Sequence, residues 1–228
     1  MKLLSSLMRA LRCIVYIGIA VARPALAAGG HHEVDDAVIL DPRQCQVETW
    51  ADWETGGDRE LLHLGPGCRV GPVELTLNID RTRAPGAPSA TVLGPQLKWA
   101  RSIGERTSVG VVLSASWQDQ GPDFVGGVAV VPLTWRADDA LLVHINVGRD
   151  FRRGEPNPAR AGAALEWSPS TAWSFVAERF REGKENLWRA GGRWTIGPSL
   201  SIDLSRASGN RESLPASWTL GLTWVLER

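Results

Sequence analysis

The chain has 228 residues, 43% of them hydrophobic, and its 25 basic residues balance its 25 acidic ones. This length suits one domain of all-β size, and zero net charge gives no electrostatic reason to bind nucleic acid or an acidic substrate. Eleven Trp against four Phe and one Tyr is unusual for a soluble core, because each buried indole N–H needs a hydrogen-bond partner.

The first residues have the features of a secretion signal. Lys2, Arg9 and Arg12 form a basic start, and residues 13–22 (CIVYIGIAVA) form an apolar run that is too short to span a bilayer as a helix. Residues 25–27 (ALA) match a small-residue cleavage site. The sequence therefore predicts a signal peptide over 1–27 and an exported mature chain.

The mature N-terminus, residues 28–42 (AGGHHEVDDAVILDP), concentrates candidate metal ligands. His31 and His32 are followed closely by three acidic residues, and imidazole nitrogens suit copper, zinc or nickel. The alternative is a flexible segment with no ligand.

From about residue 43 the hydrophobic residues recur with a period of two, which is typical of β-strands. In residues 73–80 (VELTLNID), for example, every second side chain is apolar without a fault. No convincing long helix follows the signal. The pattern predicts twelve strands at about 43–54, 59–69, 72–82, 90–101, 107–117, 125–136, 140–150, 159–168, 172–181, 186–196, 199–207 and 216–226.

The links between these strands alternate in length. The link after every second strand is short, as at Gly71 and Ala137, whereas most others are longer and richer in Pro, Gly and charge, as in 84–89 and 151–158. Outer-membrane barrels alternate in this way, with short periplasmic turns and longer external loops.

One face of the strands is apolar and the other is small or charged. A soluble sandwich or barrel would also alternate, with its apolar face inward. The order of the Trp residues favours a membrane barrel instead, because six of them lie on the apolar parity near the short-turn ends, as an interfacial girdle requires. These residues are Trp99, Trp135, Trp167, Trp173, Trp194 and Trp224.

On this pattern, residues 43–228 resemble the outer-membrane β-barrel proteins of Gram-negative bacteria. The last strand (LGLTWVL) is similar to their C-terminal assembly signal, although it ends in Glu227 and Arg228 where a terminal aromatic is usual. The resemblance implies an all-β fold, a transmembrane antiparallel up-and-down β-barrel of about 12 strands. It also implies contact with outer-membrane lipid and lipopolysaccharide, and assembly by the barrel-assembly machinery.

The same resemblance makes residues 28–42 a periplasmic N-terminal segment, either flexible or entering the lumen as a plug.

The first hairpin has a testable register. If it folds about Gly56 and Gly57, Cys45 faces Cys68 on the neighbouring strand, at a separation that a disulfide can bridge. Export to an oxidising compartment also favours this disulfide, although Pro66 would disturb the register if it caused a bulge.

The polar face is expected to line the lumen. Register counting pairs Asp150 with Arg160 and also predicts the pairs His144–Glu166, Glu178–Arg189 and Arg193–Asp203. Either a structural network or a selectivity lining would fit this pattern. The predicted lumen residues are Lys98, Arg136, His144, Glu166, Glu178, Arg189, Arg193 and Asp203.

The sequence therefore favours a small-solute channel or a structural barrel. The alternative is a metal-related receptor or sensor that uses His31 and His32, and a soluble secreted β protein is a third possibility. No GxSxG, HExxH or CxxC motif is present, and no Ser/His/Asp spacing stands out. We therefore expect no enzymatic activity and no cofactor.

Overall fold

The structure is a computed structural model that describes residues 31–56, 59–119, 123–154, 156–182, 185–209 and 215–227. The predicted signal peptide lies outside the described residues. Within the described part of the chain, no helix is long and apolar enough to cross a membrane.

The described residues form twelve antiparallel strands that close into one barrel, in which each strand pairs with its neighbours in sequence and the last pairs with the first. The strands are β1 (Gln44–Glu54), β2 (Glu60–Val70), β3 (Val73–Arg83), β4 (Ala90–Ser102), β5 (Thr107–Gln118), β6 (Phe124–Arg136), β7 (Leu141–Arg152), β8 (Ala159–Trp167), β9 (Trp173–Glu182), β10 (Glu185–Ile196), β11 (Leu200–Gly209) and β12 (Ser217–Glu227). The predicted fold class and strand number are confirmed.

The apolar face of the strands points outward. Leu75, Ile145 and Leu222 are 43%, 46% and 38% exposed, whereas the inward-facing Glu178 and Asp203 are each 1% exposed. A soluble sandwich requires the reverse packing, because its apolar side chains form the core. The outer face is therefore a continuous apolar surface, as a barrel in a bilayer needs.

Trp residues lie near both ends of the outer face. All six residues of the predicted girdle lie on the outer parity at the short-turn end. A second group of outward Trp residues, which the sequence reasoning did not assign, lies near the long loops: Trp53, Trp117, Trp188 and Trp218. The two groups are six residues apart along β10 and along β12, or about 20 Å of strand at ~3.4 Å per residue.

The register of the first hairpin is confirmed, and Cys45 and Cys68 are partners joined by a disulfide. The predicted pairs Glu178–Arg189 and Arg193–Asp203 are also direct strand partners. Between β7 and β8 the predicted register is wrong by two residues.

The β7–β8 register differs because the hairpin turns about Gly154, which has a positive φ of 75°, so that Arg160 pairs with Gly148. The side chains nevertheless meet diagonally, with Arg160 Nε 2.5 Å from Asp150 and His144 Nε2 3.3 Å from Glu166.

Candidate functional site

The N-terminal segment occupies the lumen. The sequence placed residues 28–42 in the periplasm, but residues 31–40, which we call the plug segment, lie inside the barrel. His31, Val34 and Ala37 are 5%, 2% and 2% exposed. This position corresponds to the plug that the sequence left open as an alternative.

Side chains of the barrel wall bind the backbone of the plug segment. The Glu178 carboxylate accepts hydrogen bonds from the amides of Glu33 and Val34, over 3.3 and 3.0 Å. The Thr134 hydroxyl accepts from Ala37 N over 2.8 Å. These bonds replace the backbone pairing that an extended segment would otherwise obtain from a neighbouring strand.

Two further contacts add to the backbone pairing. The Asn146 amide, turned so that its nitrogen faces the Asp35 carbonyl, donates to that oxygen over 2.9 Å and accepts from Asp35 N over 2.7 Å. Near the short-turn end, Glu74 accepts from Leu40 N over 2.9 Å. Since Glu178 belongs to β9 and Glu74 to β3, the plug segment crosses the lumen from one wall to the other.

Ion pairs reinforce this attachment. Lys98 Nζ lies 2.7 Å from the Asp36 carboxylate and 3.8 Å from that of Asp35. Arg160 lies 3.4 Å from Glu33. The lumen cations therefore compensate carboxylates of the chain's own N-terminus as well as those of the wall.

A small apolar contact also holds the plug segment. Val34 packs with Ala164 and Phe180 in a buried cluster. A Cβ placed on Gly162 would lie only 2.7 Å from Val34 Cγ2, so glycine at this position allows the segment to approach β8 closely.

His31 is held against β10, β11 and β12. Arg189 donates a hydrogen bond to its carbonyl oxygen, and its Nε2 lies 2.5 Å from the Ser205 hydroxyl. Burial lowers the pKa of His31 far below its ordinary value near 6.5, and the charges of His32, Arg189 and Arg193 lower it further. His31 is therefore a neutral, buried side chain.

This geometry does not support the alternative of a metal-binding receptor or sensor. His31 and His32 have ring centroids 4.7 Å apart, but His31 uses Nε2 on Ser205, and His32 Nδ1 lies 3.7 Å from Glu178. Among the described residues, no group of three or more His, Cys, Asp or Glu is placed to hold a metal ion.

The segment leaves the lumen through a tight turn into β1. Gln44 N donates to the Asp41 carbonyl over 3.0 Å, and the Gln44 side chain accepts from Asp41 N over 3.1 Å. Arg43 adopts a left-handed φ of 71°, which reverses the chain direction. These two hydrogen bonds hold a backbone conformation that costs a non-glycine residue roughly 1–2 kcal/mol.

Seven of the eight predicted lumen residues point into the barrel and meet partners there. His144 contacts Thr134 over 2.9 Å and Glu166 over 3.3 Å, and Arg193 Nε lies 2.6 Å from Asp203. Arg136 differs, because it is exposed as the last residue of β6.

Beside the plug segment a cavity of about 520 Å³ remains. It extends along β1–β5 and reaches the long-loop rim at Glu54, Arg59 and Pro215. Among the described residues, seven carboxylates and four Lys or Arg side chains line it, so its formal charge is −3 when all carboxylates are ionised and His is neutral. The cavity is thus polar and acidic, although the whole chain is neutral.

Trp50 is the inward-facing aromatic group of the cavity wall on β1. Its indole stacks on the His63 imidazole at a centroid distance of 4.7 Å and an interplanar angle of 9°. His63 Nδ1 lies 2.6 Å from Asp80. Sequence reasoning assigned no role to either residue. One sequence feature could have indicated a role for Trp50: it is a large aromatic residue on the polar parity of its strand, where the other inward residues are small or charged.

Comparison with known proteins identifies the family. The profile of the family described as uncharacterised conserved protein UCP029691 matches residues 17–224. The chain belongs to this family. A search of curated proteins finds no match.

Solved structures share the fold. The KdgM porin aligns with a TM-score of 0.64 at 9% identity, covering 78% of this chain and 98% of that one. The NanC porin aligns at 0.62 with the same identity and coverage. The Ralstonia pickettii toluene transporter TbuX aligns at 0.52 and 9% identity, over 83% and 79% of the two chains. The chain therefore has the fold of outer-membrane porins and transporters.

Proposed function

We propose that this protein is an outer-membrane channel for small polar solutes whose lumen is narrowed by its own N-terminal plug segment. The observation that carries the proposal is a polar cavity of about 520 Å³ inside a closed barrel with an apolar outer surface. Water and small solutes fit such a cavity, and hydrocarbon suits the outer face.

The lining charge indicates which solutes the channel takes. One solved structure is the KdgM porin in complex with oligogalacturonate, which is a polyanion. An excess of three carboxylates would repel such a solute. We therefore propose neutral or cationic solutes for this channel.

The partners of the outer surface follow from the same function. We propose contact with outer-membrane lipid and lipopolysaccharide around the apolar band, and insertion by the barrel-assembly machinery. The proposal assigns no enzymatic activity to the chain.

Planar-bilayer recording tests the channel. The mature chain, refolded in detergent, is compared with a variant that lacks residues 31–40, after both show heat-modifiable migration in gel electrophoresis. We expect a small, cation-selective conductance from the mature chain and a several-fold larger one from the deletion variant.

Two outcomes would contradict the proposal. Two folded but silent barrels would reject the channel in favour of a structural barrel. Equal conductance of both proteins would reject the plug segment as the constriction. If the deletion variant does not fold, Glu178→Gln provides the comparison, because it weakens the attachment of the segment without removing it.

A further inference from the structure

The Trp50 indole offers an aromatic face to the cavity. His63 covers one face of the ring, and the Asp80 carboxylate, which can only accept, fixes the Nδ1 proton of His63 and thereby its orientation. Trp50 lines the cavity, and its strand partner on the side away from His63 is Gly221, which has no side chain; the nearest group there is His31 Nδ1, 3.2 Å from where a Gly221 Cβ would lie. An indole face carries negative electrostatic potential and attracts cations.

Elsewhere in the barrel, Arg side chains stack on Trp rings. On the outer face, the Arg179 guanidinium lies 5.2 Å from the centroid of the Trp188 ring, and the Arg206 guanidinium lies 5.7 Å from that of Trp218. No described cation lies over Trp50. The Trp50 ring therefore forms no cation–π pair with a described side chain.

Carboxylates flank the ring. Glu48 and Asp52 stand two residues before and after Trp50 on the same face of β1, roughly 7 Å away along the strand. Asp52 Oδ1 is buried without a hydrogen-bond partner in the described structure. Buried polar atoms of this kind normally have a partner.

The positive charges of the cavity are already used. Lys98 pairs with Asp36, Arg160 with Asp150, Arg189 with Glu178 and Arg59 with Glu54, all within 4.0 Å. None of the ion pairs of the described residues involves Asp52, so these cations do not compensate the carboxylate beside Trp50 on β1.

We propose that the cavity beside Trp50 binds small organic ammonium cations, with the cation over the indole and Asp52 as its counter-ion. This names the solute class of the proposed channel and rests on that function. An inorganic ion fits less well, because the described residues hold no three-ligand metal cluster. The cavity volume suits a ligand of a few to a dozen heavy atoms.

Calorimetry on the full mature chain in detergent tests the site. The probes are choline and 3,3-dimethylbutan-1-ol, which has nearly the same shape without the charge. We expect choline to bind at least about tenfold more tightly than the alcohol. Trp50→Leu and Asp52→Asn should each weaken choline binding by roughly five- to thirtyfold.

Trp218→Leu is the matched control, because it removes an outward Trp and should leave choline binding unchanged. Heat-modifiable migration verifies that each variant folds, and Trp50→Phe, which keeps an aromatic face, should retain part of the affinity. Equal binding of the two probes would overturn the proposal. Unchanged choline affinity in Trp50→Leu would overturn it as well, and so would Trp50-dependent binding of glucose in place of choline.

The proposed channel and the proposed binding site can be rejected independently of each other. Choline binding by a barrel that is silent in bilayers would reject the channel and leave the binding site. Conductance without measurable choline binding would reject the site and leave the channel.

Discussion

Glu178 is 1% exposed and contacts four residues, since it accepts hydrogen bonds from the amides of Glu33 and Val34, pairs with Arg189 and lies beside His32. A buried carboxylate is tolerated only when it is paired and hydrogen-bonded in this way. Its partners come from one neighbouring strand, β10, and from the N-terminal segment. The lumen charges therefore hold the plug segment against the barrel wall, in addition to lining the water-filled space.

His31 makes this attachment depend on pH. Because the pKa of the buried side chain is lowered, the undocked imidazole takes up a proton below about pH 6.5 and the docked one resists it. The contribution of His31 to docking of the plug segment is therefore fully present above pH 6.5. Below that pH, the equilibrium constant for docking should fall by up to tenfold, about 1.4 kcal/mol, for each pH unit.

Amide hydrogen exchange of residues 31–40, followed by mass spectrometry, measures the effect against His31→Gln. Burial raises the pKa of Asp35, although Lys98 opposes this, and the raised pKa acts in the opposite direction by strengthening docking as the pH falls. Both proteins contain Asp35, so the difference between them isolates His31. Identical pH profiles would contradict the prediction.

The plug segment is an element with almost no regular structure of its own. Its conformation depends on wall side chains from β3, β6, β7 and β9, and on a close approach at Gly162. Such an element has lower local stability than the strands, because its bonds are few and come from single side chains. It is therefore the part of the molecule that should open first.

Gly162→Ala tests this close approach. The added methyl would lie 2.7 Å from Val34 Cγ2 and 3.2 Å from Phe180 Cβ, so the segment must shift, at a cost of roughly 1–3 kcal/mol. We expect faster exchange of residues 31–40 and unchanged exchange of the strands.

Gly104→Ala is the matched control for this change, because a Cβ there meets nothing within 4 Å. If both substitutions leave the exchange of the segment unchanged, the contact between Val34 and β8 does not hold it.

For the whole molecule, the sequence predicted what depends on local periodicity. Alternation such as that in β3 predicted the strands, and the paired glycines at 56 and 57 predicted the register that joins Cys45 to Cys68. The β7–β8 register was missed because the turn depends on which residue adopts a positive φ.

The attachment of the plug segment had no sequence signal. It depends on contacts between residues as far apart as Val34 and Glu178, which no local pattern encodes. From the sequence, the wall side chains that make these contacts are recognisable only as charged or polar lumen residues. No sequence feature shows whether such a residue pairs with another wall residue or with the N-terminal segment.

The barrel as a whole is stable only if hydrocarbon solvates its outer face. Ile145→Arg places a charge in the middle of the apolar band, where Ile145 is 46% exposed, and should destabilise the folded protein by roughly 2–4 kcal/mol in a bilayer. Ile103→Arg is the control, since Ile103 lies in a short turn beyond the Trp girdle and should cost at most about 1 kcal/mol. Urea unfolding in lipid vesicles measures both free energies of unfolding.

The difference between the two substitutions should disappear in a detergent whose micelle lets water reach the apolar band, because the destabilisation comes from desolvating the guanidinium in lipid. A small and equal effect of both substitutions in vesicles would mean that the outer face is not in contact with hydrocarbon.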